Sequence, residues 1–226
     1  ENENMEKSIF GCLNKTKKIL YIVTHKVANT TIMNVLRQFG YSSRHKMSLD
    51  IADLNYIFTF VRNPFDRVLS RYTHLQRIVN DLKEENMKVA EDRLSGIELE
   101  KKTGIEHIDL NTAELKIIGS YLNLNDEQKT SAFFQEFTSV SFADFTKFII
   151  NEFGIQNEPH YETQIDYLQR QVDSLDNINY IGRFENLQQD FDFVCDKIGI
   201  PKQELPKSNK SKHKHYTEYY DNETRQ

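Results

Sequence analysis

Lys18-Ile19-Leu20-Tyr21-Ile22-Val23-Thr24-His25-Lys26-Val27-Ala28-Asn29-Thr30-Thr31-Ile32-Met33-Asn34-Val35-Leu36-Arg37-Gln38-Phe39-Gly40 is the stretch whose reading decides the fold. Its first six residues form an apolar, β-branched run that reads as a buried strand. Ile32, Val35, Leu36 and Phe39 then recur at the spacing that gathers side chains on one helical face. Thr30 is expected to cap that helix at its start and Gly40 to close it. The stretch is a βα unit with a short polar connection.

A second unit follows. Tyr56-Ile57-Phe58-Thr59-Phe60-Val61 is another aromatic and β-branched run, and Arg62-Asn63-Pro64-Phe65-Asp66 opens a helix. Asn63 suits the N-cap, Pro64 the first helical position and Asp66 the first turn. Phe65, Val68, Leu69 and Tyr72 are expected on its apolar face, and the helix to run to about Val79. Residues 80–140, rich in Glu, Lys and Asn, read as a helical excursion or lid rather than a separate domain. Beyond them 142–150 reads as an amphipathic helix, 157–161 as a loop, 178–182 as a strand, and Leu187 to Ile198 as a helix stopped by Gly199 and Pro201. Strands alternating with helices imply an α/β fold with a central parallel sheet flanked by helices.

At 226 residues, with 38% apolar and 28% charged side chains, the chain is expected to form a single domain over 1–226 with a sizeable core, which excludes wholesale disorder. No window holds the roughly 20 apolar residues of a membrane span, so the chain is soluble or lacks its anchor. A lone pair of cysteines, Cys12 and Cys195, excludes a disulfide scaffold. A net charge of −5 argues against a general nucleic-acid binder. The histidines show no metal-ligand spacing, and no metal is expected.

Ligands of parallel α/β sheets gather beyond the carboxyl ends of the strands. There the first loop offers Lys26, the backbone amides of Val27, Ala28 and Asn29, and the hydroxyls of Thr30 and Thr31, an anion cradle. In the second, Arg62 leaves a strand end and Ser70 follows eight residues on; together they suit one phosphate. Arg62 has another reading, an ion pair with Asp66. Residues 24–31 contain no glycine, which excludes the ordinary phosphate loop of nucleotide triphosphatases. Two anion grips on neighbouring strands call for a ligand with two separated anionic groups.

Thr24-His25-Lys26-Val27-Ala28-Asn29-Thr30-Thr31 resembles the 5′-phosphosulfate loop of carbohydrate sulfotransferases, and Phe60-Val61-Arg62-Asn63-Pro64-Phe65-Asp66-Arg67-Val68-Leu69-Ser70-Arg71-Tyr72 their 3′-phosphate segment. Tyr180-Ile181-Gly182-Arg183-Phe184-Glu185-Asn186-Leu187, with Asp190, is similar to their late strand–helix junction, and Asn209-x-Ser211 with Tyr216-x-x-Tyr219-Tyr220 to their C-terminal region. Departures fall at His25, where proline is usual, and at Asn29, where cysteine or serine is usual. The family pattern runs on through a further helix, so the chain is expected to stop short of it. The resemblance implies a P-loop-like three-layer domain that uses 3′-phosphoadenosine-5′-phosphosulfate (PAPS) as co-substrate and releases 3′-phosphoadenosine 5′-phosphate. It assigns Lys26, Val27, Ala28, Asn29, Thr30 and Thr31 to the 5′-phosphosulfate, Arg62 and Ser70 to the 3′-phosphate, and Ser211 and Lys212 to closure over the nucleotide.

The acceptor hydroxyl needs a base, and histidine titrates nearest neutrality. His45, in His45-Lys46-Met47-Ser48-Leu49-Asp50, is expected in the connection between the two motifs and resembles the base segment of uronyl 2-O-sulfotransferases. His160, after Pro159, ranks second, and Glu185 is a carboxylate alternative. His25 is expected to point away from Lys26. The charge balance favours a weakly charged glycan or a small hydroxylated acceptor over a polyanion. A cytoplasmic, bacterial-type enzyme is expected, or a Golgi lumenal domain without its anchor. The rival readings are an ATP-dependent small-molecule kinase and a non-catalytic anion-binding module.

Overall fold

A computed structural model describes residues 7–85, 140–148, 161–206 and 214–225. They belong to two compact units: residues 1–67 with 162–210, and residues 68–161 with 211–226.

The first unit is built on a five-stranded sheet in the order β3-β1-β2-β4-β5. Its strands are β1 (Lys7–Asn14), β2 (Ile19–Ile22), β3 (Ser42–Leu49), β4 (Tyr56–Val61) and β5 (Tyr180–Arg183). The sheet is mixed. β2, β4 and β5 run parallel, as the alternation of strands and helices requires, whereas β1 pairs antiparallel with both β2 and β3. Two strands escape the sequence pattern. The apolar residues of β1 are split by Gly11, and β3 (SSRHKMSL) is mostly polar, so both are specified by pairing rather than by propensity.

β2 is buried along its whole length, and alternate residues serve opposite faces. Ile19 and Tyr21, with Phe58 and Phe60 of β4, pack against helix α1 (Asn29–Gln38) through Ile32, Val35 and Leu36. The late helix, Leu187–Ile198, adds Phe191, Val194, Cys195 and Ile198 to that face. Leu20, Ile22 and Ile57 face the opposite way, onto Tyr167, Leu168 and Val172 of the helix Gln164–Val172. That helix also lies outside the expected pattern, although Thr163 caps it and accepts from the Asp166 N–H at 3.1 Å.

Counting along the chain, α2 is Pro64–Glu85, α3 Phe142–Phe148, α4 Gln164–Val172 and α5 Leu187–Ile198. α2 is longer than expected. Leu69 and Leu75 are fully buried and Tyr72 nearly so, but Phe65 is 37% exposed and does not join that apolar face. α5 has the predicted bounds, with Gly199 left-handed at φ +66°. α1 starts two residues earlier than expected: Ala28 occupies the cap and Thr30 lies inside the helix. Gly40, at φ +82°, ends α1 as expected.

The second unit is held by aromatic packing. Tyr72 of α2 meets Phe142 and Phe145 of α3, and Phe142 meets Tyr220 with ring centroids 4.8 Å apart. The Tyr72 hydroxyl donates to the Val140 carbonyl at 2.6 Å. Residues 86–139, which contain most of the expected excursion, lie outside the described residues.

Cys12 and Cys195 are free and buried. Burial pushes each thiol from an ordinary 9.0 up to about 11, against a smaller downward pull from Arg37 on Cys12. The folded chain is expected to resist maleimide labelling at about pH 8 and to expose two reactive thiols once unfolded. Thiols of the unfolded chain ionise from about pH 9, while those of the fold hold their protons to about pH 11, so stability should decline across that window. Rapid labelling of the folded chain would contradict the packing described.

Candidate active site

The parallel register of β2 and β4, Ile22 opposite Thr59, sends two connections out side by side at the carboxyl edge. The Thr24 hydroxyl crosses to the Phe60 carbonyl and ties the two together as they leave the sheet. The first connection then turns through Lys26 at φ +66° and Ala28 at φ +63°, with the Val27 side chain fully buried between them. Left-handed backbone costs a non-glycine residue roughly 1–2 kcal/mol, so two such residues persist only where neighbours over-determine them.

Asn29 does much of that. Its amide Nδ2 donates to the Thr24 carbonyl, closing the loop on itself, and its Oδ1 accepts from the buried Tyr21 hydroxyl at 2.5 Å. The departure from the family's cysteine or serine therefore brings its own partners. α1 begins at this point with no acidic residue in its first turn, so the partial positive charge of its N-terminus is not offset there. Thr31 is buried at 7% exposure, Thr30 is exposed and Lys26 half-buried. The His25 ring packs edge-on to Tyr167 of α4, with centroids 5.6 Å apart.

Arg62 stands at the end of β4 with only 9% of its side chain exposed. Its guanidinium lies 4.1 Å from the centre of the Phe184 ring. Nε and Nη2 both reach Asp66 at 2.8 Å, and Nη1 donates to the Lys26 carbonyl at 3.0 Å. The ion-pair reading of Arg62 is thus real, and it leaves capacity: these contacts use three of the five guanidinium N–H groups. The backbone is held as firmly. The Arg62 N–H donates to Gln164 Oε1 at 2.9 Å and the Asn63 N–H to Glu185 Oε1 at 2.7 Å. Asn63 caps α2 as predicted, its Oδ1 accepting from the Phe65 and Asp66 N–H groups at 3.0 and 3.3 Å.

His45 lies within β3, in contrast to the connection expected from sequence. β3 carries an extra residue there: Met47 pairs Ile9 and Arg44 pairs Gly11, so His45 and Lys46 face Phe10 together. The Phe10 carbonyl accepts from the Val23 N–H at 3.0 Å. The backbone of His45 is therefore level with the carboxyl end of β2, two strands and roughly 10 Å across the sheet. Ser70, half-buried within α2, belongs to the second unit. His160, Ser211 and Lys212 lie outside the described residues.

The structure brings Lys26 and Arg62 into direct contact and adds two groups that sequence reading did not assign to the site, Gln164 and Phe184. Asp66, expected as the ion-pair partner of Arg62, is that partner, and Glu185, the carboxylate alternative for the base, holds the Asn63 N–H. Phe184 stands in a segment that resembles the family and was within reach; Gln164 is recruited only by the fold. Among the described residues no cluster of three or more His, Cys, Asp or Glu could hold a metal ion, and no helix is long and apolar enough to cross a membrane.

The two connections thus leave adjacent parallel strands at one edge of the sheet and meet through Arg62 and the Lys26 carbonyl. The family model described as the sulfotransferase family matches residues 12–226, nearly the whole chain, and the chain belongs to that family. Membership supports sulfuryl transfer as its general activity. No curated protein and no solved structure matches the chain.

Asn29→Ala should cost about 2–3 kcal/mol in chemical denaturation, because it strands the buried Tyr21 hydroxyl and the Thr24 carbonyl. Adding Tyr21→Phe should recover part of the loss, since removing both partners is milder than removing one. Strictly additive losses would show that the two side chains are not coupled.

Proposed function

We propose that the chain transfers a sulfuryl group from PAPS to a hydroxyl of a carbohydrate, on a P-loop-like three-layer domain. The observation that supports this most is the 3.0 Å hydrogen bond from Arg62 to the Lys26 carbonyl, which joins two anion-ready connections at neighbouring strand tips. A donor with anionic groups at both ends of an adenosine fits such a pair. The residues also fit it one by one. The first turn of α1 carries no acid to repel an anion, and Arg62 retains two N–H groups beyond its protein contacts.

PAPS supplies a sulfuryl group already activated by its link to phosphate. Lys26, the amides of Val27, Ala28 and Asn29, and the Thr30 and Thr31 hydroxyls hold the 5′-phosphosulfate. Arg62 and Ser70 take the 3′-phosphate, and Ser211 and Lys212 close over the nucleotide. His45 accepts the acceptor's proton as the hydroxyl oxygen attacks sulfur in line. The bond from sulfur to the bridging oxygen breaks, and the Lys26 ammonium donates to that oxygen as charge builds on the departing phosphate. The level of His45 with the end of β2 supports its role; His160 is the second candidate. The overall charge of −5 favours a weakly charged glycan or a small hydroxylated acceptor.

A sulfate-transfer assay with defined hydroxylated acceptors tests the reading. Lys26→Ala should lower turnover by about 10²–10³. Arg62→Ala should weaken adenosine 3′,5′-bisphosphate binding by about 10–100-fold. His45→Ala should lower turnover by about 10²–10⁴ with nucleotide affinity kept. Tighter binding of ATP than of the bisphosphate would favour a kinase, and nucleotide binding without any turnover a non-catalytic module. Unchanged activity in both the Lys26 and Arg62 variants would remove the assignment.

A further inference from the structure

We infer that Arg62 is a positioning residue for the Lys26 loop, in addition to any direct part it takes in holding a 3′-phosphate. The inference rests on the donor site proposed above and adds a mechanical link between its two ends.

The link begins with the peptide plane. Arg62 Nη1 holds the carbonyl of Lys26, and because the peptide unit is rigid, that contact also directs the Val27 N–H to the opposite side. The contact falls on one of the loop's two left-handed non-glycine residues, at φ +66°. The loop is otherwise tied at its start by Asn29 Nδ2 on the Thr24 carbonyl and at its middle by the buried Val27 side chain. Arg62 supplies a further tie, at the residue proposed to stabilise the leaving phosphate.

Arg62 is also fixed independently of any ligand. Asp66 holds Nε and Nη2, the Phe184 ring lies beneath the guanidinium, and Gln164 and Glu185 hold the N–H groups of residues 62 and 63. A side chain that served only as a cation for an incoming phosphate has no need to commit an N–H to a neighbouring backbone carbonyl. An arginine braced from α2, α4 and the turn Phe184–Asn186 ahead of α5, and resting on the Lys26 peptide, acts as a fixed post. Its removal should loosen the loop even when no 3′-phosphate is present to be gripped.

Two variants separate this role from phosphate reading. Arg62→Met keeps an unbranched stem to lie on Phe184, and Arg62→Met/Asp66→Asn also removes the carboxylate that would otherwise be stranded. Calorimetry with adenosine 3′,5′-bisphosphate and adenosine 5′-monophosphate is paired with amide hydrogen exchange over residues 24–31 of the nucleotide-free chain. Both variants should bind the 5′-monophosphate at least about fivefold more weakly than the parent. Exchange over 24–31 should rise at least about fivefold while that of β2 and β4 stays unchanged. Unchanged exchange and unchanged 5′-monophosphate affinity, with only the bisphosphate weakened, would overturn the inference and leave Arg62 as a reader of the 3′-phosphate alone. A parent chain that binds neither nucleotide would remove the donor reading, and the exchange rates alone would then decide the loop-positioning role.

Discussion

The parallel pairing of β2 with β4 is the constraint on which the site depends. Antiparallel neighbours would send their connections to opposite edges; parallel ones send both to the same edge, one strand spacing apart. Because Ile22 stands opposite Thr59, Lys26 and Arg62 leave the sheet at nearly the same height, close enough for a side chain on one to meet the backbone of the other. A shift of one residue in that register would turn Phe58 and Phe60 out of the core formed with α1 and α5. The packing that stabilises the sheet therefore also fixes the spacing of the loops.

Burying a guanidinium is unfavourable unless its charge and its N–H groups find partners. Arg62 meets that demand with a carboxylate, a carbonyl and an aromatic face drawn from three parts of the chain. The arrangement also divides the local electrostatics. Asp66 sits in the first turn of α2, where it offsets that helix's positive end and part of the charge of Arg62. α1 has no such acid in its first turn, so its positive end is not offset in that way. On a chain of net charge −5, the anion site proposed at the Lys26 loop rests on this local arrangement rather than on a broad basic surface.

The legible parts of the sequence were those written in local patterns. β2, β4, α1, the start of α2, and α5 combine apolar periodicity with caps or breakers, and their bounds emerge within a few residues. β1 and β3 were not legible, because Gly11 interrupts one and polar residues dominate the other, and strand identity there comes from partners far away in sequence. The consequence reaches the site: His45 belongs to a paired edge strand with a bulge, which no local pattern announces. Thr30 was misplaced as a cap because a hydroxyl before an apolar helical face is the ordinary signal; here Ala28 takes the position and Asn29 ties the loop through its side chain. Lys26 and Arg62 could be named from residue type and spacing, but their direct contact could not.

That contact also explains how a loop without glycine adopts backbone angles that glycine usually supplies. Glycine would reach φ near +65° freely and would leave the loop free to depart from it. Lys26 and Ala28 reach the same angles against a steric preference, held by Asn29, the buried Val27 and Arg62. The result is a loop whose shape belongs to its neighbours rather than to its own residues. Such a loop can keep a lysine at the position the proposed reaction needs, because a proton donor aimed at a developing charge is most effective when it has little reorganising left to do. The same dependence makes the loop vulnerable at a distance: a change on β4 that moves Arg62 would alter the setting of Lys26 without touching it.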